Sequence, residues 1–177
     1  MAKFFLYENR QCVKEQKVIV EDFRDMAKSL ILNYTVIQGL IYSDVSNQAG
    51  EFFEKLSVQF PVIGVDSDMQ LPFKNGYESP ASLGSDRIVL VAAACKNYPN
   101  TNLLIIDLGS CITYDFLDSN CIYHGGAISP GLHMRYKSVH HYTGNLPLLN
   151  YRNPKNPTGK NTDQAIHAGI YFGILDE

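Results

Sequence analysis

Apolar and polar residues alternate with period two over residues 3–8 and again over 11–20, so both stretches predict strands. Asn9-Arg10 between them predicts a hairpin turn. The period then lengthens. Phe23, Met26, Ala27, Leu30 and Ile31 fall on one face of a helix over 21–33. A β-rich run follows at 34–42, then a short helix at 49–56 and a strand at 61–65 that reads as buried. A polar stretch with Pro and Gly, 66–80, separates this half from the next, which divides the chain into residues 1–76 and 77–177.

In the second half, Ile88 through Cys95 are apolar nearly all round, which predicts a buried helix over 87–97. A buried strand is expected at 103–107, a tight turn at Gly109, a returning strand at 111–117 and a third strand at 121–124. Ser129 reads as the cap of a helix over 130–142, with Pro130 at its first position. Asn161 reads as the cap of the last helix, with Gln164 as its capping-box partner. Each half thus has a hairpin followed by helices, which implies an α/β protein of two similar mixed-sheet subdomains.

Composition narrows the function classes. The chain of 177 residues is 45% apolar and 19% charged, with a net charge of −3. That excludes wholesale disorder and disfavours a nucleic-acid partner, because phosphate binding needs a basic face. No apolar run approaches the ~20 residues a bilayer requires, so no membrane partner is expected. The first eight residues do not read as a signal peptide. The four cysteines show no C-x-x-C spacing, and Cys95 reads as a buried thiol, which favours a reducing cytoplasmic location. His133, His140 and His141 lack nearby carboxylates or thiolates and read as surface or interface residues.

Three segments carry candidate chemistry. In Gly84-Ser85-Asp86-Arg87, at the start of the apolar helix, either Ser85 or Asp86 is a simple cap, or Asp86 accepts a proton and Arg87 forks a substrate carboxylate. Asp107-Leu108-Gly109-Ser110, at a strand end, is a hairpin turn or a phosphate-holding turn with a cation-binding Asp. Gly125-Gly126-Ala127-Ile128-Ser129-Pro130-Gly131 allows close approach of a ligand or of another backbone.

Taken with Tyr77, with Cys111-Ile112-Thr113 directly after the Asp107 turn, and with Gly159-Lys160-Asn161-Thr162, Ala165-Ile166 and Gly169, these motifs resemble type III pantothenate kinase in order and spacing. The resemblance is strong over 77–177 and a matter of pattern before that. It implies the actin-like ATPase (ribonuclease H-like) fold and transfer of the ATP γ-phosphoryl group to pantothenate, the first step of coenzyme A synthesis. ATP with Mg²⁺ and a monovalent cation, K⁺ or NH₄⁺, are the implied cofactors, and a homodimer is the implied assembly. By the same resemblance, Asp86 is the catalytic carboxylate, and Tyr77, Gly84, Ser85, Asp86, Arg87 and Thr162 bind pantothenate. Gly109 and Ser110 meet ATP phosphate, with Ser110 standing where the family usually has Thr. Asp107 holds the monovalent cation.

The family's opening Asp-x-Gly-Asn-Thr phosphate turn is not found in this sequence, and the family continues past the last helix. The expectation from the sequence is therefore a fragment with trace kinase activity and poor solubility. The competing reading is a non-catalytic member that binds pantothenate or a partner without transferring phosphate. A transcriptional accessory role, attached to some relatives, is disfavoured by the acidic balance.

Overall fold

The expected hairpin forms. In the computed structural model, which describes every residue except 1, 35–36 and 46–48, β1 (Ala2–Glu8) pairs antiparallel with β2 (Gln11–Val18). Asn9 and Arg10 both lie in the left-handed region, at φ 48° and 66°. Two such residues in succession match the twist of the flanking strands, which is why polar residues tolerant of that region serve here. Helix α1 (Phe23–Asn33) follows one 3-10 turn. Strand β3 (Leu40–Tyr42), helix α2 (Gly50–Leu56) and strand β4 (Val62–Gly64) form a β-α-β segment, with β3 and β4 parallel. Part of the run expected at 34–42 falls outside the described residues.

The chain divides into two compact units, residues 1–66 with 84–86, and residues 67–83 with 87–177. The core of the first is aromatic. Phe23, Ala27 and Phe53 are buried, Tyr42 stacks on Phe53 with ring centroids 4.7 Å apart, and Phe52 meets Phe23 edge-on at 5.6 Å. Its strands form two separate two-stranded sheets. Strand β4 is less buried than its apolar sequence suggests. With one strand beside it, Ile63 is half exposed.

The second unit is built on one four-stranded sheet, in the order β5-β8-β7-β6. Strands β6 (Leu103–Leu108), β7 (Cys111–Leu117) and β8 (Ile122–Pro130) run antiparallel, and β5 (Lys74–Asn75) joins β8 in parallel. Helices α3 (Ser85–Asn97), α4 (Leu132–His141) and α5 (Thr162–Leu175) accompany it, with Ser85 and Asp86 of α3 belonging to the first unit. The chain is thus mixed α/β, as expected.

Four expectations are corrected here. Strand β6, at the edge of the sheet, has one open face, and Leu104, Ile106 and Leu108 on it are 63%, 51% and 74% exposed rather than buried. Helix α3 is buried on one side only. Ile88, Val91, Ala94 and Cys95 are inside, and Val89 is exposed. Ser129 and Pro130 do not start a helix. They extend β8, opposite Ile112 and Cys111, and Gly131 caps α4 instead. Cys95 is not a free thiol. It is bonded to Cys121, with Cα atoms 5.7 Å apart, a separation that suits a disulfide.

Helix α4 buries Tyr136 against Ile166 and Ile170 of α5, with Leu132 and Val139 packed alongside. The Tyr136 hydroxyl is 2.7 Å from Nδ1 of the buried His167. Asn161 caps α5 by accepting the Gln164 backbone N–H at 2.9 Å. Gln164 Oε1 returns the bond one residue earlier than a standard capping box, to the N–H of Lys160. Among the described residues no helix is long and apolar enough to cross a membrane.

Candidate functional site

Arg87 enters α3 one residue after Asp86, and its guanidinium turns into the second unit rather than toward solvent. It is 5% exposed, and Asp115 of β7 is 0% exposed. Arg87 donates from Nε (2.9 Å) and from Nη2 (2.6 Å) to the same oxygen, Asp115 Oδ1. The Tyr123 hydroxyl donates to that oxygen as well, at 2.7 Å. Three donors on one carboxylate oxygen at full burial make a strongly charge-assisted cluster. Burial works against the Arg87 charge, but the hydrogen bonds and charge of Asp115 outweigh it and hold the guanidinium above its ordinary pKa. Burial first, then Asp115, pushes the Tyr123 phenol well above its usual value.

Tyr77 completes this cluster. Its ring lies 5.6 Å from the Arg87 guanidinium and stacks on Tyr123 with centroids 6.0 Å apart. On the other side a Cβ at Gly125 would come within 3.2 Å of the Tyr77 ring, and Gly125 has φ 88°. Both facts call for glycine at that position. Tyr77 and Arg87, singled out separately in the sequence, are therefore brought together.

Asp86 itself is exposed, in the first turn of α3, where the helix N-terminus favours a carboxylate. Beside it, Ser85 is buried with its hydroxyl 2.8 Å from that of Ser43. Within the same unit, a cleft of about 240 Å³ opens at the carboxyl ends of the parallel strands β3 and β4, lined by Tyr42, Asp44, Gly50, Gly64, Val65 and Asp66. Strand ends of this kind are common ligand positions in α/β proteins.

Gly109 and Ser110 form the exposed turn between β6 and β7, and Asp107, also exposed, is the next-to-last residue of β6, opposite Thr113. The turn is pinned from behind, since the Gly131 N–H donates to Ser110 O at 3.0 Å. A Cβ at Gly131 would fall 2.4 Å from Gly109 O and 2.5 Å from Ser110 O. The glycine of the Gly125–Gly131 motif thus serves the approach of another backbone. Thr162 is exposed at the first position of α5.

Sequence reading missed Asp115, Tyr123 and Ser43. For Asp115 a signal existed: Thr113 and Asp115 alternate onto one face of an otherwise apolar strand. Polar residues on that face imply buried partners.

The chain is similar to known proteins over most of its length. The family pattern for type III pantothenate kinase matches residues 3–177. Type III pantothenate kinase of Christiangramia forsetii is 40% identical over 172 residues, which is 97% of this chain and 71% of that protein. That of Flavobacterium johnsoniae is 39% identical over 178 residues, 100% and 68% of the two. That of Bacteroides fragilis is 37% identical over 169 residues, 96% and 65% of the two. The chain therefore spans about two thirds of the length of these relatives. A Campylobacter jejuni crystal structure, described as a Baf family transcriptional activator, superposes with a TM-score of 0.61 over 92% of this chain and 68% of that one, at 24% identity. That likeness speaks for the fold alone. The family match, the residue identity and the near-complete coverage agree, and the chain belongs to the type III pantothenate kinase family.

Proposed function

We propose that the chain transfers the γ-phosphoryl group of ATP to the primary hydroxyl of pantothenate, with Asp86 as the catalytic carboxylate. The observation that carries this is the exposed Asp86 carboxylate in the first turn of α3, within the Gly84–Arg87 motif of a chain matched by the family pattern from residue 3 to 177. Phosphoryl transfer has a loose transition state, so the carboxylate chiefly orients the attacking hydroxyl and takes its proton late. Gly84, Ser85, Arg87, Tyr77 and Thr162 bind pantothenate, and Gly109 and Ser110 receive an ATP phosphate. The pinned backbone of the 109–110 turn supports that role, because a rigid turn needs little reordering when phosphate arrives.

Asp107 holds a monovalent cation, K⁺ or NH₄⁺, at the mouth of that turn, where its exposed carboxylate can offset phosphate charge. Among the described residues no group of three or more His, Cys, Asp or Glu is arranged for a metal ion. The Mg²⁺ arrives on the nucleotide and keeps most of its waters. The actin-like ATPase fold and a homodimer belong to the same proposal, as does a cytoplasmic location, which the Cys95–Cys121 bond leaves resting on the enzyme family and not on a free thiol. Met134 and Tyr142 support the homodimer as exposed apolar residues at α4.

Pantothenate-dependent ADP release, measured beside calorimetric titration of pantothenate, tests the reading. In a chain that also carries the family's opening phosphate turn, Asp86→Asn is expected to lower turnover by about 10²–10⁴ while pantothenate binding changes little. Near-wild-type turnover in that variant overturns the assignment of Asp86. A wild-type chain that binds pantothenate and never releases ADP favours the non-catalytic reading.

A further inference from the structure

The Gly84–Arg87 motif places a cation beside the catalytic carboxylate, which invites the view that Arg87 meets the substrate directly. The structure shows how that cation is held. Its Nε and Nη2 are spent on Asp115 Oδ1, and its guanidinium is covered by the rings of Tyr77 and Tyr123, at 5.6 and 6.0 Å. We infer that Asp115 is a positioning residue of the pantothenate site, holding Arg87 and, through Arg87 and Tyr123, the ring of Tyr77.

Three features carry this. First, Asp115 Oδ1 is the shared acceptor for Arg87 and Tyr123, so loss of its charge frees both donors at once. Second, the cluster is dry. Arg87 and Asp115 side chains are 6% and 0% exposed, so solvent does not replace a lost partner. Third, the pair joins α3 to a strand 28 residues further along the chain, a tie that the helix's own hydrogen bonds do not provide. Asp115 also leaves Oδ2 buried without a hydrogen-bond partner among the described residues. A carboxylate that spends one oxygen on three donors and leaves the other bare is arranged for its partners rather than for its own solvation.

The inference rests on the proposed pantothenate site, so its test has one arm that depends on pantothenate and one that does not. The 177-residue chain is compared with Asp115→Asn and Tyr123→Phe by calorimetric titration of pantothenate and by backbone amide exchange. The telling amides are those of Ile88, Val89 and Leu90. In an α-helix they close on the carbonyls of residues 84–86 and so report on the first turn of α3. Asp115→Asn is expected to weaken pantothenate binding by at least about tenfold and to speed exchange at those amides by a similar factor, with β6 and β7 little changed. Tyr123→Phe, which keeps the ion pair, is expected to shift both readings by about twofold to fivefold. It decides the matter if Asp115→Asn does not fold.

Wild-type affinity together with wild-type exchange at Ile88–Leu90 in both variants overturns the inference. So does a uniform acceleration across the second unit, which would mark Asp115 as a general stabiliser. Localised exchange at Ile88–Leu90 with unchanged pantothenate affinity also overturns it. A wild-type chain that binds no pantothenate counts against the functional reading instead, and the exchange comparison then decides whether Asp115 anchors the helix.

Discussion

The two units hold themselves together by different means. The first relies on a few aromatic rings, Phe23, Phe52, Phe53 and Tyr42, between short elements whose strands pair only two by two. The second has a four-stranded sheet, a disulfide and a fully buried ion pair. Rings packed together are non-directional and tolerate adjustment, whereas a buried charge pair tolerates none, because either partner alone is stranded in low dielectric. The unit with the directional interactions is also the one that carries Tyr77, Arg87, the 109–110 turn and Thr162. Charged anchors suit a region whose side chains must be held in one geometry.

The contrast is sharpest at Arg87. Arg87→Ala leaves Asp115 buried with Tyr123 as its one side-chain donor among the described residues, and we expect a loss of about 3–5 kcal/mol, read as a lowered urea midpoint by circular dichroism. A loss under about 1 kcal/mol would mean that water enters the cluster and that the second unit is no more directional than the first. Phe53→Ala probes the other side. A thin core can partly collapse around the gap, so about 3 kcal/mol is expected, at the lower end for such a change. Amide exchange should rise in α1 and α2 and stay unchanged in β7. Equal acceleration in both units would erase the distinction between them.

The smallest effect concerns the turn between β7 and β8. Asp118 Oδ1 accepts the backbone N–H groups of Asn120 and Ile122, each at 2.9 Å, and Oδ2 lies 3.0 Å from His124 Nε2. His124 first, then the backbone groups, hold the Asp118 carboxyl below its ordinary value of 3.8. A depressed folded-state value means that the contribution is present above 3.8 and is lost as pH falls through the lower, folded value. Urea midpoints of wild type and Asp118→Asn should therefore converge on acidification below that point. A gap that stays constant down to strong acid would show that the carboxylate charge plays no part in this turn.

Local chemistry was legible in the sequence and distant pairing was not. Asn9-Arg10 and the Asn161 cap were readable because their partners lie within a few residues. Ser129-Pro130 was misread for a related reason. The pair has the local form of a helix start, but strand pairing with Ile112 and Cys111, more than fifteen residues earlier, prevails. Cys95 and Cys121 stand 26 residues apart with nothing nearby to mark them as partners. Among the site residues, Tyr77, Asp86, Arg87, Asp107, Gly109, Ser110 and Thr162 were visible as motif positions. Asp115 was not, because its importance appears only once β7 is placed against α3. The inward turn of Arg87 was hidden for the same reason.

The bond between Cys95 and Cys121 changes what kind of molecule the second unit is. Covalently it is a closed ring with two tails, and the ring contains β6, the 109–110 turn and β7. A single peptide-bond cut within the ring does not release a fragment. Both pieces stay one molecule until the sulfur bridge is opened, and the turn proposed to meet phosphate stays tethered through its uncut side whichever side is severed.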